Sequence, residues 1–338
     1  MNTSSNFNNT IEYKMIYLYV LTASAVFSII GLFANAFLLY ILIKHEIFGK
    51  TTYYLLRISV TSDIICNFTT ATAYFMSSGA HIFYLDGTTL CRCLVLTIFA
   101  SYGVSMMTLC IIAIDRYFVI VRPLSSFYRR YKGQFIRGLF ALVAIVVFSS
   151  TFPSFFCVTT YPGDIKFCHL TTVTPAISSY LIISTITLYI IPALTLIIIY
   201  SKIIIYMKNY VRPGEIISNP DGENHKKKKF IRMLISIATA YLLISWPYFA
   251  TSLGIAITGR SSRQVRQHGF VYFLLAFFSF SSTTAISILN PFLYFKFDCA
   301  IRLKAKIHLS AIYGMVNSRI VTTDNAANNP SRHKSVVT

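Results

Sequence analysis

Seven long stretches of predominantly apolar residues constrain this chain more than any other feature of its sequence. A helix needs roughly 20 apolar residues to cross a bilayer, so each stretch is long enough to span a membrane once. The sequence therefore predicts an all-α fold, a bundle of seven transmembrane helices. The stretches cover about residues 15–43, 53–79, 93–121, 135–160, 172–206, 230–257 and 268–295.

Composition agrees with a membrane protein and argues against a nucleic-acid-binding one. Charged residues make up 12% of the chain, whereas a soluble domain carries about 25%. The net charge of +19 comes from basic clusters between uncharged stretches, as in loops that connect spans. The first apolar run is too long for a cleaved signal peptide, and we expect it to be a retained span.

Lysine and arginine placement orients the predicted bundle. With the N-terminus outside, 24 of the 30 basic residues fall on the inner side, where cytoplasmic loops carry the excess. A short amphipathic helix is expected at the inner membrane surface after the last span. The predicted regions are an extracellular N-terminus (1–14), a seven-transmembrane domain (15–295), an interfacial helix (296–310) and a disordered cytoplasmic tail (311–338).

The same orientation assigns roles to asparagines and cysteines. Asn2 and Asn8 lie in Asn-X-Ser/Thr sequences outside the membrane, which makes them candidate glycosylation sites, whereas Asn67 lies within the second span. Cys91 and Cys168 both face the oxidising side, so a disulfide between them is plausible. Cys93 and Cys157 offer a second pair, which the sequence leaves open.

One ionisable residue lies in the middle of a predicted span. Asp63, on the second span, must be protonated, paired or turned toward a polar cavity. Two interpretations stay open, namely a hydrogen-bonded hub between helices and a sodium site at Asp63 and Ser105. The polar residues predicted at similar depth are Asn35, Ser105, Ser287 and Asn290.

A second ionisable group closes the third span on the inner side. Asp115 and Arg116 stand there, followed by Tyr117. An exposed pair of this kind contributes little to stability. At the mouth of a bundle, however, an arginine partly removed from water can exchange partners, so the pair is a candidate switch.

Further motifs stand on the later spans, and together the motifs resemble a known family. They are Pro192 with Tyr200, Trp246 with Pro247, and the run Asn290, Pro291, Phe292, Leu293 and Tyr294. With Asn35, Asp63, the Cys91–Cys168 pair and Asp115–Arg116–Tyr117, they resemble the class A, rhodopsin-like G-protein-coupled receptors over the whole seven-helix length. The segment 102–124 is similar to the third span of opsins, particularly the melanopsin-like and invertebrate visual group.

The resemblance implies a multi-pass plasma-membrane receptor, not an enzyme, that signals to a heterotrimeric G protein. Arrestin, a receptor kinase and membrane lipid are further expected partners. At rest Arg116 would pair with Asp115; an agonist would make the sixth helix pivot near Pro247 and swing outward at its inner end. Tyr200 and Tyr294 would then turn inward and hold the open form. A membrane transporter is the alternative from another class, which the lack of internal repeats disfavours.

The chain departs from opsins at the residue that holds their chromophore. Opsins bind retinal on a lysine six positions before the Asn of the Asn-Pro motif, and that position here is Thr284. Without an amine no Schiff base forms, so we expect no covalent retinal and no other cofactor. A light receptor that binds retinal non-covalently is the alternative within the family.

Other departures concern the ligand and the switch. Ile98 stands where amine receptors carry an aspartate, which favours a neutral, apolar or weakly polar small molecule. Trp246 directly precedes Pro247, one residue out of the family's pattern, and Lys227 or its neighbours replace an acid that holds Arg116 in many relatives, which favours basal activity. The candidate pocket residues are Phe99, Tyr102, Tyr248, Phe249, Phe277 and Thr284.

Overall fold

The computed structural model describes residues 3–77, 87–123, 126–159, 168–209, 221–261, 264 and 270–311, with side chains from Leu18 onward in the first helix and from Phe230 onward in the sixth. Seven long helices within these residues form one bundle, which confirms the predicted fold class. Their bounds are Thr3–Lys44 (helix 1), Thr51–Ser77 (helix 2), Gly87–Ile120 (helix 3), Ser126–Thr151 (helix 4), Pro175–Asn209 (helix 5), Asp221–Thr258 (helix 6) and Phe270–Phe297 (helix 7).

Six of the described helices are long and apolar enough to cross a membrane, and helix 2 is the exception. Arg57, Asp63 and several serines and threonines make helix 2 more polar than its neighbours. It nevertheless packs along helix 1 and helix 3, inside the bundle. Large apolar side chains such as Phe33, Phe68 and Ile145 are exposed on the outside of the bundle, as expected for contact with lipid.

Helix 1 begins at Thr3, about twelve residues before the predicted start of the span. The polar segment before residue 15 contains neither proline nor glycine, so no residue in it stops a helix. Helix 5 changes its winding in the middle: a π-turn covers Ile186–Ile190 and ends two residues before Pro192. Because Pro192 has no backbone N–H to donate, the regular α-helical ladder cannot run unbroken through it.

A short hairpin covers the outer side of the bundle. Strand Val158–Thr159 pairs antiparallel with His169–Leu170, and a short helix, Ser154–Cys157, leads into the first strand. A disulfide joins Cys168, directly before the second strand, to Cys91 in the first turns of helix 3, so this predicted bridge is confirmed. Cys93 and Cys157 are both free, and no second bridge forms between them.

A final helix, residues 299–311, follows helix 7. Asp298 begins it, because its Oδ1 accepts hydrogen bonds from the backbone N–H groups of Ala300 (2.8 Å) and Ile301 (3.1 Å). Ile301 is buried against the bundle, while Leu303 and Ile307 are exposed. The tail from residue 312 onward lies outside the described part of the chain.

Candidate ligand cavity and switch

A cavity of about 220 Å³ lies in the outer half of the bundle. It is bounded by helices 2, 3, 5, 6 and 7 and by the hairpin residue Leu170. All six predicted pocket residues line it: Phe99, Tyr102, Tyr248, Phe249, Phe277 and Thr284. Tyr74 and Tyr180 line it as well and were not predicted, since nothing in the sequence sets them apart from other aromatic residues of the spans.

The cavity wall is aromatic and uncharged. The rings of Phe99 and Tyr248 lie 5.2 Å apart, and those of Tyr102 and Phe249 lie 5.7 Å apart. Among the described residues that line the cavity there is no Asp, Glu, Lys or Arg. Such a wall suits a neutral molecule, because a charge placed there would lose its hydration without gaining a counter-charge.

Hydroxyl groups supply the polarity of the cavity. Thr284 donates to the Ser281 carbonyl at 2.8 Å, and the hydroxyls of Tyr74 and Ser281 are 2.9 Å apart. The hydroxyl of Tyr102 is buried and is turned toward Ser245 of helix 6. The Tyr102 hydroxyl is therefore not exposed in the cavity, and the hydroxyls of Tyr74, Ser281 and Thr284 are the polar groups of the wall.

Below the cavity lies the predicted polar network. Asp63 accepts hydrogen bonds from Ser105 Oγ at 3.0 Å and from Asn290 Nδ2 at 2.7 Å, across helices 2, 3 and 7. Asn290 Nδ2 also donates to the Tyr241 hydroxyl of helix 6 at 3.1 Å. Tyr241 was missed, because its place beside Asn290 depends on how helix 6 packs against helix 7.

Asn35 and Ser287 meet at the kink of helix 7. Pro291 has no N–H, so the carbonyl of Ser287, four residues earlier, has no partner within its helix. Asn35 Nδ2 donates to that carbonyl at 2.8 Å, and Asn67 Nδ2 approaches it at 3.3 Å. Two buried asparagines thus replace the bond that the proline removes. Asn67, like Tyr241, was not predicted as part of the network.

Both interpretations of Asp63 stay predictions. Hydrogen-bond donors already reach both of its carboxylate oxygens, as in a hub between helices. Oxygen atoms that a sodium ion prefers are also present, since the buried Asn290 Oδ1 and Ser59 Oγ have no hydrogen-bond partner among the described residues.

At the inner end of helix 3, Asp115 accepts bonds from three residues. Arg116 is paired with it, with Nε at 3.0 Å. Lys132 Nζ lies at 2.8 Å and the Tyr128 hydroxyl at 2.5 Å, both from the start of helix 4. These two partners were missed. Helix 4 is kinked between them, since the backbone of Tyr131 is not helical (φ −112°, ψ 15°), so helical spacing does not relate the two residues. Tyr117 lies beside the pair and packs edge-on against Phe118.

The other predicted switch residues lie in different environments. The hydroxyl of Tyr200 is buried without a partner among the described residues, and Tyr294 is 1% exposed. The carbonyl of Pro247 accepts a hydrogen bond from Ser279 at 2.5 Å. Trp246 is 53% exposed on the outside of helix 6 and does not line the cavity.

For three of the predicted residues the structure describes no side chain. Asn2 lies outside the described residues, and only the backbone of Asn8 is described, within helix 1. The side chain of Lys227 likewise lies outside the description. The first described side chain of helix 6 is that of Phe230, whose ring centre lies 5.8 Å from the Arg116 guanidinium carbon.

Comparison with known proteins identifies the architecture. The family described as 7 transmembrane receptor (rhodopsin family) matches residues 34–294. The chain is 24% identical to somatostatin receptor type 4 of Rattus norvegicus, over 68% of this chain and 59% of that receptor. It is 26% identical to rhodopsin of Sminthopsis crassicaudata, over 79% and 74% of the two chains. It is 23% identical to neuropeptide Y receptor type 2 of Sus scrofa, over 83% and 74%.

Proposed function

This chain belongs to the rhodopsin family of seven-transmembrane receptors, and on that premise we propose that it reports a neutral small molecule to a heterotrimeric G protein. The ligand occupies the outer cavity, and helix 6 swings outward at its inner end. The G protein then inserts a helix into the cleft that opens. The N-terminus lies outside the cell, and the receptor resides in the plasma membrane.

The observation that carries the proposal is the uncharged aromatic cavity with a few hydroxyl groups in its wall. A ligand with a large apolar surface and a single carbonyl or ether oxygen suits this combination. The apolar part displaces water from the aromatic wall, and the oxygen accepts a hydrogen bond from a hydroxyl group of that wall. A cationic amine finds no counter-charge among the described lining residues.

The inner end supports a two-state switch. Arg116 is paired with Asp115, as expected for a receptor at rest. Tyr200 keeps a buried hydroxyl without a partner among the described residues in this state, and an outward helix 6 lets that hydroxyl gain one. A ligand that binds the open form more tightly than the closed form shifts the equilibrium by the ratio of the two affinities.

Contacts outside the bundle complete the proposal. The helix 299–311 lies on the lipid interface, with the exposed Leu303 and Ile307 turned toward acyl chains and its basic residues toward headgroups. Phosphorylation of the Ser- and Thr-containing tail by a receptor kinase recruits arrestin.

Retinal held without a covalent bond is the second candidate ligand. The aromatic, uncharged cavity favours it, and a rhodopsin is among the relatives of this chain. Thr284 lines the cavity and has no amine, and the sequence has no lysine between Gly269 and Phe295, so a Schiff base is not part of the proposal.

The test replaces Arg116 with alanine and measures nucleotide exchange on a panel of purified G proteins. We expect Arg116→Ala to abolish ligand-independent exchange while the receptor still reaches the cell surface, because the arginine that contacts the G protein is gone. Arg130→Ala, which removes an exposed arginine of the inner surface, is the matched control.

Exchange at the wild-type level in Arg116→Ala would contradict the proposed mechanism. A second arm adds retinal to the wild-type receptor and compares darkness with illumination. Light-dependent exchange would establish retinal as the ligand, whereas equal exchange in both conditions would exclude a light receptor of this kind.

A further inference from the structure

We propose that the hydroxyl of Tyr241 is the positioning group that holds helix 6 in its resting place, through its bond to Asn290 of the Asp63–Asn290 network. The inference rests on the proposed function, because it assumes that an outward movement of helix 6 is the signalling step. Tyr241 lies outside the Trp246–Pro247 and Asn290–Tyr294 motifs. Its role follows from where its ring and its hydroxyl lie.

The tyrosine stands directly beneath the cavity. Tyr241 is 1% exposed, and its ring centre lies 6.3 Å from that of Tyr102, a cavity residue. Ser245, one turn further along helix 6, is fully buried and donates to the Tyr241 carbonyl at 2.5 Å. Trp246 is turned to the outside, and the helix 6 rings that pack against Tyr102 are those of Phe249, in the cavity wall, and Tyr241, below it.

The hydroxyl end connects three helices through one amide group. Asn290 Nδ2 donates to Asp63 Oδ2 at 2.7 Å and to the Tyr241 hydroxyl at 3.1 Å. The two hydrogens of that amide group are thereby assigned, one to helix 2 and one to helix 6. Tyr241 is the helix 6 residue that these bonds reach.

Movement of helix 6 breaks this arrangement at a cost. If Tyr241 leaves, one buried N–H of Asn290 loses its acceptor, in a place closed to water. Arg116 is paired with Asp115 in the same structure, so the Tyr241–Asn290 bond belongs to the resting form. The hydroxyl therefore favours the resting form.

The test is Tyr241→Phe, which keeps the ring and removes only the hydroxyl. We expect basal nucleotide exchange without ligand to rise about fivefold, the equivalent of about 1 kcal/mol for one lost hydrogen bond. The control is Ser150→Ala, which removes a hydroxyl bonded to Thr187 at 3.2 Å between helices 4 and 5. It removes one interhelical bond without touching helix 6, and we expect it to leave basal exchange unchanged.

A second measurement follows helix 6 without a G protein. Spin labels at Gln134→Cys and Arg232→Cys, in a background with Cys93 and Cys299 replaced by serine, report the distance between the inner ends of helices 4 and 6. Tyr241→Phe should increase the population at the longer distance. Longer distances without nucleotide exchange would support Tyr241 and contradict the G-protein proposal. Unchanged distances and unchanged exchange, or an equal rise in Ser150→Ala, would overturn the role of Tyr241.

Discussion

At the scale of single residues, the partners of Asp115 decide how easily Arg116 leaves it. Asp115 is 1% exposed, and a buried carboxylate without a counter-charge is strongly destabilising. Lys132 Nζ lies at 2.8 Å from Asp115 and the Tyr128 hydroxyl at 2.5 Å. In the proposed open form, in which Arg116 leaves Asp115, Lys132 would be the remaining cation among the described partners, so we expect it to lower the cost of that release.

Replacing Lys132 with methionine should therefore lower basal nucleotide exchange. We expect a decrease of about threefold, since Lys132 is partly exposed and a pair of this kind contributes up to about 1 kcal/mol. Arg130→Gln removes a neighbouring exposed charge and should change exchange little. An increase in exchange in Lys132→Met would show that Lys132 holds the resting form instead.

At the scale of elements, Asp298 connects three helices: helix 2, helix 7 and the helix 299–311. Its Oδ1 caps the helix 299–311, and its Oδ2 accepts a hydrogen bond from the Tyr53 hydroxyl of helix 2 at 3.1 Å. Helix 7 ends at Phe297, one residue earlier. One carboxylate thus fixes the direction in which the chain leaves the bundle and holds the following helix against helix 2.

Asp298→Ala should destabilise the receptor by about 2 kcal/mol, about 1 for the lost cap and about 1 for the lost bond to Tyr53. Thermal unfolding in detergent measures the effect as a lower midpoint. Asp298→Asn keeps an oxygen that can cap the helix, so its midpoint should lie between those of the wild type and Asp298→Ala. Equal midpoints in all three would contradict the role of Asp298.

The seven spans could be predicted from the sequence because the length of an apolar stretch is a local property. The contacts between those helices are harder to predict from the sequence. Similar depth in the spans predicted that Asp63, Ser105 and Asn290 meet, and hydrogen bonds join them, whereas nothing in the sequence marks Tyr241, Lys132 and Asn67. Their importance depends on which helix face meets which neighbour, and the apolar stretches are hydrophobic on all sides, so periodicity does not reveal that face.

At the scale of the whole molecule, three sites lie in succession along the bundle. The uncharged cavity is on the side of the Cys91–Cys168 disulfide, the Asp63 network is in the middle, and the Asp115–Arg116 pair is at the opposite end. A signal that passes from the cavity to the pair runs into the cell only if the disulfide side is extracellular. The orientation of the chain is thus a premise of the whole mechanism, and it can be tested separately from signalling.

Glycosylation provides that test. With the N-terminus outside, Asn2 and Asn8 receive glycans in a eukaryotic membrane, so an endoglycosidase should increase the gel mobility of the full-length receptor. The double variant Asn2→Gln, Asn8→Gln should migrate like the digested wild type. Asn67, whose side chain is 0% exposed between helices 2 and 7, should add no glycan. A wild-type receptor whose mobility the enzyme does not change would contradict the orientation, and a glycan left on the double variant would show that Asn67 is accessible, which this packing forbids.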